Sequence, residues 1–202
     1  MRWYRALLLS IIAAGFATST QAQATGLPSF NAPYRAFNRS ELGLVLTFPN
    51  GGGTAFEGVY RIAQAKFDLG FRGGIYAPGG GGSSVLLIGA EARERVVTHT
   101  EDFPLDGALI LGIGGEFVSG NSAVTIPVGL SLGRRVEPQG SKVSIVPYVQ
   151  PTGLLVAGNG NSDFLFALGL GADFRLSPRF DARISAGLGD IEGVSLGAVW
   201  VH

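Results

Sequence analysis

The chain contains no cysteine, so it can form neither a disulfide, nor a lipid-modified cysteine, nor a thiolate metal site. Lysine occurs only as Lys66 and Lys142. A soluble β-domain coats its water-facing side with Lys, Thr and Glu, and this chain has too little Lys to do so. Histidine is confined to His99 and His202, too few for a metal site, which wants about four ligands. Beyond the first two dozen residues there is no run of about 18 apolar residues, which excludes a helical membrane protein. No Lys/Arg cluster is present either, which argues against nucleic acid as a partner.

Glycine, by contrast, is abundant: 32 of the 202 residues, with a mean hydropathy of +0.31. The opening MRWYRALLLSIIAAGFATSTQAQA places Arg2 and Arg5 before an apolar stretch from Ala6 to Phe16 and closes on Ala22-Gln23-Ala24. This is the layout of a cleavable secretory signal peptide over 1–24, with the mature chain starting near Gln23 or Thr25. Residues 25–39, TGLPSFNAPYRAFNR, form an irregular lead-in to which no chemistry is assigned.

From Ser40 to His202 the pattern has period two, punctuated by Gly, Pro, Asn, Asp and Ser clusters. It predicts strands at 40–49, 54–62, 66–76, 84–97, 105–117, 122–134, 142–155, 163–176, 179–188 and 192–202, with eight strands as the alternative to ten. Most connections are hairpin length, so consecutive strands should pair antiparallel in a meander. Successive side chains point to opposite faces. One face of the strands is Leu- and Phe-rich, as in Leu42, Leu44, Leu46 and Phe48, or Phe67, Leu69, Phe71 and Ile75. The companion face mixes Gly with acids and Arg: Glu57 and Arg61, Asp68 and Arg72, Glu91 and Arg93, Asp173 and Arg175, Asp181 and Arg183. Arg among Gly and Ala suits a crowded polar interior in which each fork reaches carboxylates on its own or neighbouring strands.

If that face points inward, an apolar belt surrounds the outside, which lipid accepts and water does not. The expected fold is therefore all-β: an antiparallel up-and-down transmembrane barrel over 40–202, closed so that no sheet edge meets hydrocarbon. Phe48, Tyr60, Phe67, Tyr76, Phe117, Phe180 and Trp200 are expected girdle residues at the two interfaces.

Gly-x-Ser-x-Gly, the nucleophile-elbow pattern, occurs at Gly129–Gly133 and Gly193–Gly197. The chemistry needs a strand, a sharp turn and a helix, then an acid and a histidine. Only five residues follow Gly197, and Ser131 lies within unbroken alternation, so both matches read as strand. No catalytic residue, metal site or cofactor is expected, and the glycine loops lack the Gly-Lys-Ser/Thr ending of a phosphate binder.

The leader, the alternating strands from Ser40 to His202, the hairpin LSPRFDARISAGLGD and the last strand together resemble small Gram-negative outer-membrane β-barrels, the opacity-protein and OmpA-type grouping. In that grouping the last strand typically has a polar residue, Gly two positions later, then alternation to an aromatic terminus. Ser195, Gly197, Trp200 and His202 fall at those places, with His202 where Phe is usual. The resemblance implies residence in the cell outer membrane among lipid and lipopolysaccharide. It also implies assembly by the barrel-assembly machinery with periplasmic chaperones, reading that terminal signal, and a monomer. The expected role is structural or surface-interacting, non-enzymatic, with no wide pore. Alternatives are a barrel enzyme acting on lipid A and a soluble periplasmic ligand-binding β-domain.

Overall fold

Alternation of bulky apolar and small or polar residues leaves a strand as the only element that can sort the two sets onto separate faces. In the computed structural model, which describes residues 24–33, 39–64, 67–141 and 143–202, ten strands form. They are β1 (Glu41–Pro49), β2 (Thr54–Gln64), β3 (Phe67–Ala77), β4 (Val85–Val97), β5 (Asp106–Val118), β6 (Asn121–Gly133), β7 (Ser144–Gly158), β8 (Asn161–Ser177), β9 (Phe180–Gly189) and β10 (Gly193–Val201). Residues 1–23 of the expected leader and 34–38 of the lead-in lie outside the described residues.

Each strand pairs antiparallel with its sequence neighbours, and β1 pairs with β10 from Glu41↔Val201 to Pro49↔Gly193, closing the barrel. Ten strands, not the alternative eight, make the wall. With an even count, the start of β1 and the end of β10 share one rim, called here the terminal rim. The connections 98–105, 134–143 and 178–179 lie there, and 50–53, 78–84, 119–120, 159–160 and 190–192 lie at the opposite rim. The two-residue turn 159–160 shows why the hairpins are tight. Asn159 and Gly160 both have positive φ, 53° and 82°, the pairing that matches the twist of the flanking strands. The ladder lapses between Leu111↔Val128 and Gly114↔Thr125, beside Pro127, which has no N–H to donate.

Burial follows parity. In β1 the pattern alternates residue by residue, with Leu42, Leu44 and Phe48 exposed and Glu41, Gly43, Val45 and Thr47 inward. The outside is apolar round the whole circumference, for example Phe56, Phe71, Ile88, Leu111, Val128, Leu155, Ile184 and Leu196. An eleven-residue strand such as β2 is about 36 Å long at roughly 3.3 Å per residue. Tilted by about 40° it spans about 28 Å, enough for an apolar band of about 25 Å. Tyr60, Phe67, Phe180 and Trp200 are exposed at the terminal rim, and Phe48 and Phe117 at the other. Tyr76 is a correction: it is 5% exposed, points inward and donates its hydroxyl to the Gly52 carbonyl at 2.7 Å. Its parity with Asp68, Arg72 and Gly74 on β3 puts it on the lumen side.

The lumen has an occupant. All ten residues from Ala24 to Pro33 are buried inside the barrel. Leu27 packs with Ala55, Tyr76 and Leu87 near the opposite rim, and Phe30 and Ala32 pack with Val146, Tyr148, Leu154, Ala167 and Ile191. The segment descends to Pro33, which lies against Gly133 at the terminal rim.

Candidate functional site

An irregular segment buried in a barrel brings carbonyls and N–H groups with no ladder to satisfy them, and each left unpaired is costly. Here the wall supplies the partners. Five consecutive carbonyls of the segment each accept from a side chain of the lumen. Pro28 O takes the hydroxyls of Ser185 (3.2 Å) and Ser195 (3.1 Å), and Ser29 O takes Arg72 Nη1 at 3.4 Å. Phe30 O takes the Tyr148 hydroxyl (2.8 Å), Asn31 O the Ser131 hydroxyl (2.7 Å) and Ala32 O Arg93 Nη1 (2.9 Å). The N–H of Phe30 donates to Ser185 Oγ at 3.2 Å and that of Asn31 to Gln150 Oε1 at 3.4 Å. Thr25 donates its hydroxyl to Glu57 at 2.5 Å, and Arg72 Nη2 donates to Ser29 Oγ at 2.8 Å.

Glycines in the wall make the room. A β-carbon at Gly114 would overlap the Ala24 carbonyl, and one at Gly169 would enter the Phe30 ring. Ala24 also closes on Gly89 and Gly112, and Pro28 on Gly187 and Gly193. The glycine-rich face is thus a groove into which a backbone fits closely, one of the established uses of glycine.

The two Gly-x-Ser-x-Gly serines are part of this cradle. Ser131 holds Asn31 O. Ser195 holds Pro28 O and lies 2.7 Å from the Thr47 hydroxyl. His99 is at the terminal rim, where Nδ1 is 3.0 Å from Asp106, and the His202 ring stacks on Tyr60 with centroids 6.3 Å apart. Among the described residues no group of three or more His, Cys, Asp or Glu side chains is gathered as for a metal.

The charged residues of the inner face meet between strands. Arg61 reaches Asp68 at 2.5 Å and also Glu91, with Glu41 at 4.0 Å. Arg93 Nε lies 3.1 Å from Asp68, and Arg72 binds Glu57 at 2.9 Å. Arg183 bridges Glu41 at 2.8 Å and Asp173 at 3.1 Å. Asp181 stands opposite Arg175 in the β8–β9 register. The sequence neighbours Glu57 and Arg61, or Asp68 and Arg72, thus exchange partners across β2, β3 and β4. Glu41, Tyr148 and Gln150 are not singled out by the sequence. For Glu41 the signal was there, since it shares parity with Gly43 and Val45. Removing one cradle donor, as in Tyr148→Phe, strands the buried Phe30 carbonyl and is expected to cost about 1–3 kcal/mol, read as a lower urea midpoint of the folded barrel.

Among the described residues, the interior beside the segment holds a cavity of about 30 Å³ lined by Ser29, Asn31, Arg61, Arg72, Arg183 and Ser195 among others.

No protein-family model and no curated protein matches the chain. Solved structures do. A de novo designed transmembrane β-barrel aligns at 15% identity over 84% of this chain and 99% of its own, with a TM-score of 0.42. The beta domain of the Bordetella autotransporter BrkA aligns at 13% identity over 81% of this chain and 98% of its own, with a TM-score of 0.51. At such identity the second likeness speaks for fold alone. Together with the closed ten-stranded wall and its apolar outside, it gives this chain the fold of a transmembrane β-barrel.

Proposed function

We propose that the chain is an exported, monomeric outer-membrane barrel of structural type, non-enzymatic and sealed, within the opacity-protein and OmpA-type grouping. The observation that carries this reading is the pairing of an outward apolar wall with a lumen already filled by residues 24–33 and by Arg–carboxylate contacts. An eight-stranded barrel is just filled by its own side chains, and here a ten-stranded one is filled by side chains plus a segment of chain.

Short connections favour a structural over an adhesive role. The rim opposite the termini carries turns of two to seven residues, where surface-binding barrels rely on longer extracellular loops. A lipid-modifying activity is disfavoured because Ser131 and Ser195 spend their hydroxyls on the buried segment. In this reading the leader directs export and is cleaved near Gln23, so that the mature chain keeps the buried segment from Ala24 onward. Ser195, Gly197, Trp200 and His202 serve as the signal read by the assembly machinery.

The test is cell fractionation followed by gel electrophoresis with and without boiling. The protein is expected in the outer-membrane fraction, migrating faster unboiled. Recovery in osmotic-shock fluid without a mobility shift would overturn the reading.

A further inference from the structure

Four independent features of residues 24–33 point beyond simple filling. The segment contributes no strand to the wall, and the barrel closes without it through β1 and β10. Its attachment is by side chains: wall hydroxyls, a phenol and two guanidiniums reach its backbone, and Leu27 and Phe30 anchor it in two separate apolar clusters. It runs nearly the length of the lumen, from Leu27 beside Ala55 and Tyr76 to Pro33 beside Gly133. Lastly, glycines of β4, β5, β6, β8, β9 and β10 surround it, each placed where a β-carbon would press on the segment.

We propose that residues 24–33 are the stopper of a cation-preferring passage, so that the same barrel with the segment removed or unseated conducts cations. The selectivity follows from charge. The buried inward carboxylates Glu41, Glu57, Asp68, Glu91, Asp106, Asp173 and Asp181 outnumber the inward guanidiniums beside them, Arg61, Arg72, Arg93, Arg175 and Arg183. The rim opposite the termini adds Asp190 and Glu192, and its connections 50–53, 78–84, 119–120, 159–160 and 190–192 contain no Lys or Arg. A narrow low-dielectric passage with an excess of one sign concentrates counter-ions. Arg72 and Arg93, released from Ser29 and Ala32, remain held by Glu57 and Asp68, so the interior keeps its acidic balance.

This inference rests on the membrane-barrel reading, and the experiment separates the two. The full chain and a chain lacking residues 24–33 are refolded into phosphatidylcholine vesicles, checked for unboiled mobility and vesicle flotation, then fused to planar bilayers in a KCl gradient. The expected result is a silent full chain and a truncated chain that opens discrete steps with a reversal potential on the potassium side. Failure of the full chain to float with vesicles overturns the barrel reading itself. A folded, floating but silent truncated barrel overturns the stopper, as does a reversal potential on the chloride side.

Should the truncated chain not fold, the full chain carrying Leu27→Ser and Phe30→Ser unseats both anchors while keeping every wall residue. The native chain has no cysteine, so Thr152→Cys, buried on the lumen side of β7, is a clean probe. Its labelling by a cationic thiol reagent is expected to accelerate when the anchors are lost and then to outpace labelling by an anionic reagent about tenfold, the scale on which electrostatic focusing acts. Unchanged labelling with unchanged silence in bilayers overturns the proposal.

Discussion

Replacing Arg61 by methionine is expected to destabilise the folded barrel by about 3–5 kcal/mol, the cost of breaking a buried ion pair from one side. Arg61 is the point where four strands meet electrically. It rises from β2, touches Asp68 of β3 and Glu91 of β4, and faces Glu41 of β1, with 9% of its side chain exposed. The neighbouring guanidiniums divide the loss unevenly. Arg93 still holds Asp68 and Arg183 still holds Glu41, but Glu91 loses the cation it touches. Adding Glu91→Gln to the Arg61→Met chain is therefore expected to recover more than half of the loss, because the stranded charge rather than the missing attraction dominates. The measurement is the urea midpoint of refolding in detergent, read by unboiled gel mobility and fluorescence, for parent, both single variants and the double. Equal midpoints for parent and Arg61→Met would show that water enters the inner face and screens it.

The second large effect lies on the other side of the wall. Leu111 is halfway along β5 and 55% exposed. In water, exchanging such a residue for arginine changes stability by less than about 0.5 kcal/mol. At the middle of a bilayer the same change costs about 2–4 kcal/mol, falling to about 0–1 near the interface. Leu111→Arg is therefore expected to lose several times more stability in lipid vesicles than Phe117→Arg, which lies near the end of the same strand. A flat response along β5 would mean that this face does not meet hydrocarbon.

The wall was legible because two constraints act on every strand residue at once. Alternation in stretches such as ELGLVLTF assigns each side chain to a face. Polar groups with Gly on one face and Leu with Phe on the other then say which solvent each face meets. Boundaries of β1 through β10 follow from the Gly and Asn turns that interrupt this alternation. Partner choice was not legible, because contacts such as Arg61 with Glu91 depend on register across three strands, and local spacing carries no register. Tyr76 shows a legible fact overlooked: its aromatic ring suggested an interface, while its parity with Asp68 and Arg72 placed it inside.

The occupant of the lumen was the larger omission. TGLPSFNAPY has neither period, so pattern reading passes over it. Its trace is indirect, in Gly89, Gly112, Gly114, Gly169 and Gly187, all on the inner parity. Glycine beside Arg was read as crowding, when it marked the path of another stretch of backbone. The serines of the two Gly-x-Ser-x-Gly matches were also placed by this path, since short hydroxyl side chains in a glycine groove can reach a passing carbonyl. A pattern that suggests a nucleophile and a pattern that seats a peptide thus share the same residues.

The position of Ala24 bears on how the protein can be handled. His202 lies at an exposed rim, whereas Ala24 is wholly enclosed against Gly89, Gly112 and Gly114. An affinity tag or fluorescent partner joined after His202 hangs outside the finished barrel. One joined directly ahead of Ala24 has to share the interior or keep the segment from seating. For a barrel refolded in vitro, where no machinery has to read the last strand, a label therefore belongs after His202, and a tag ahead of Ala24 becomes a tool for holding the lumen open.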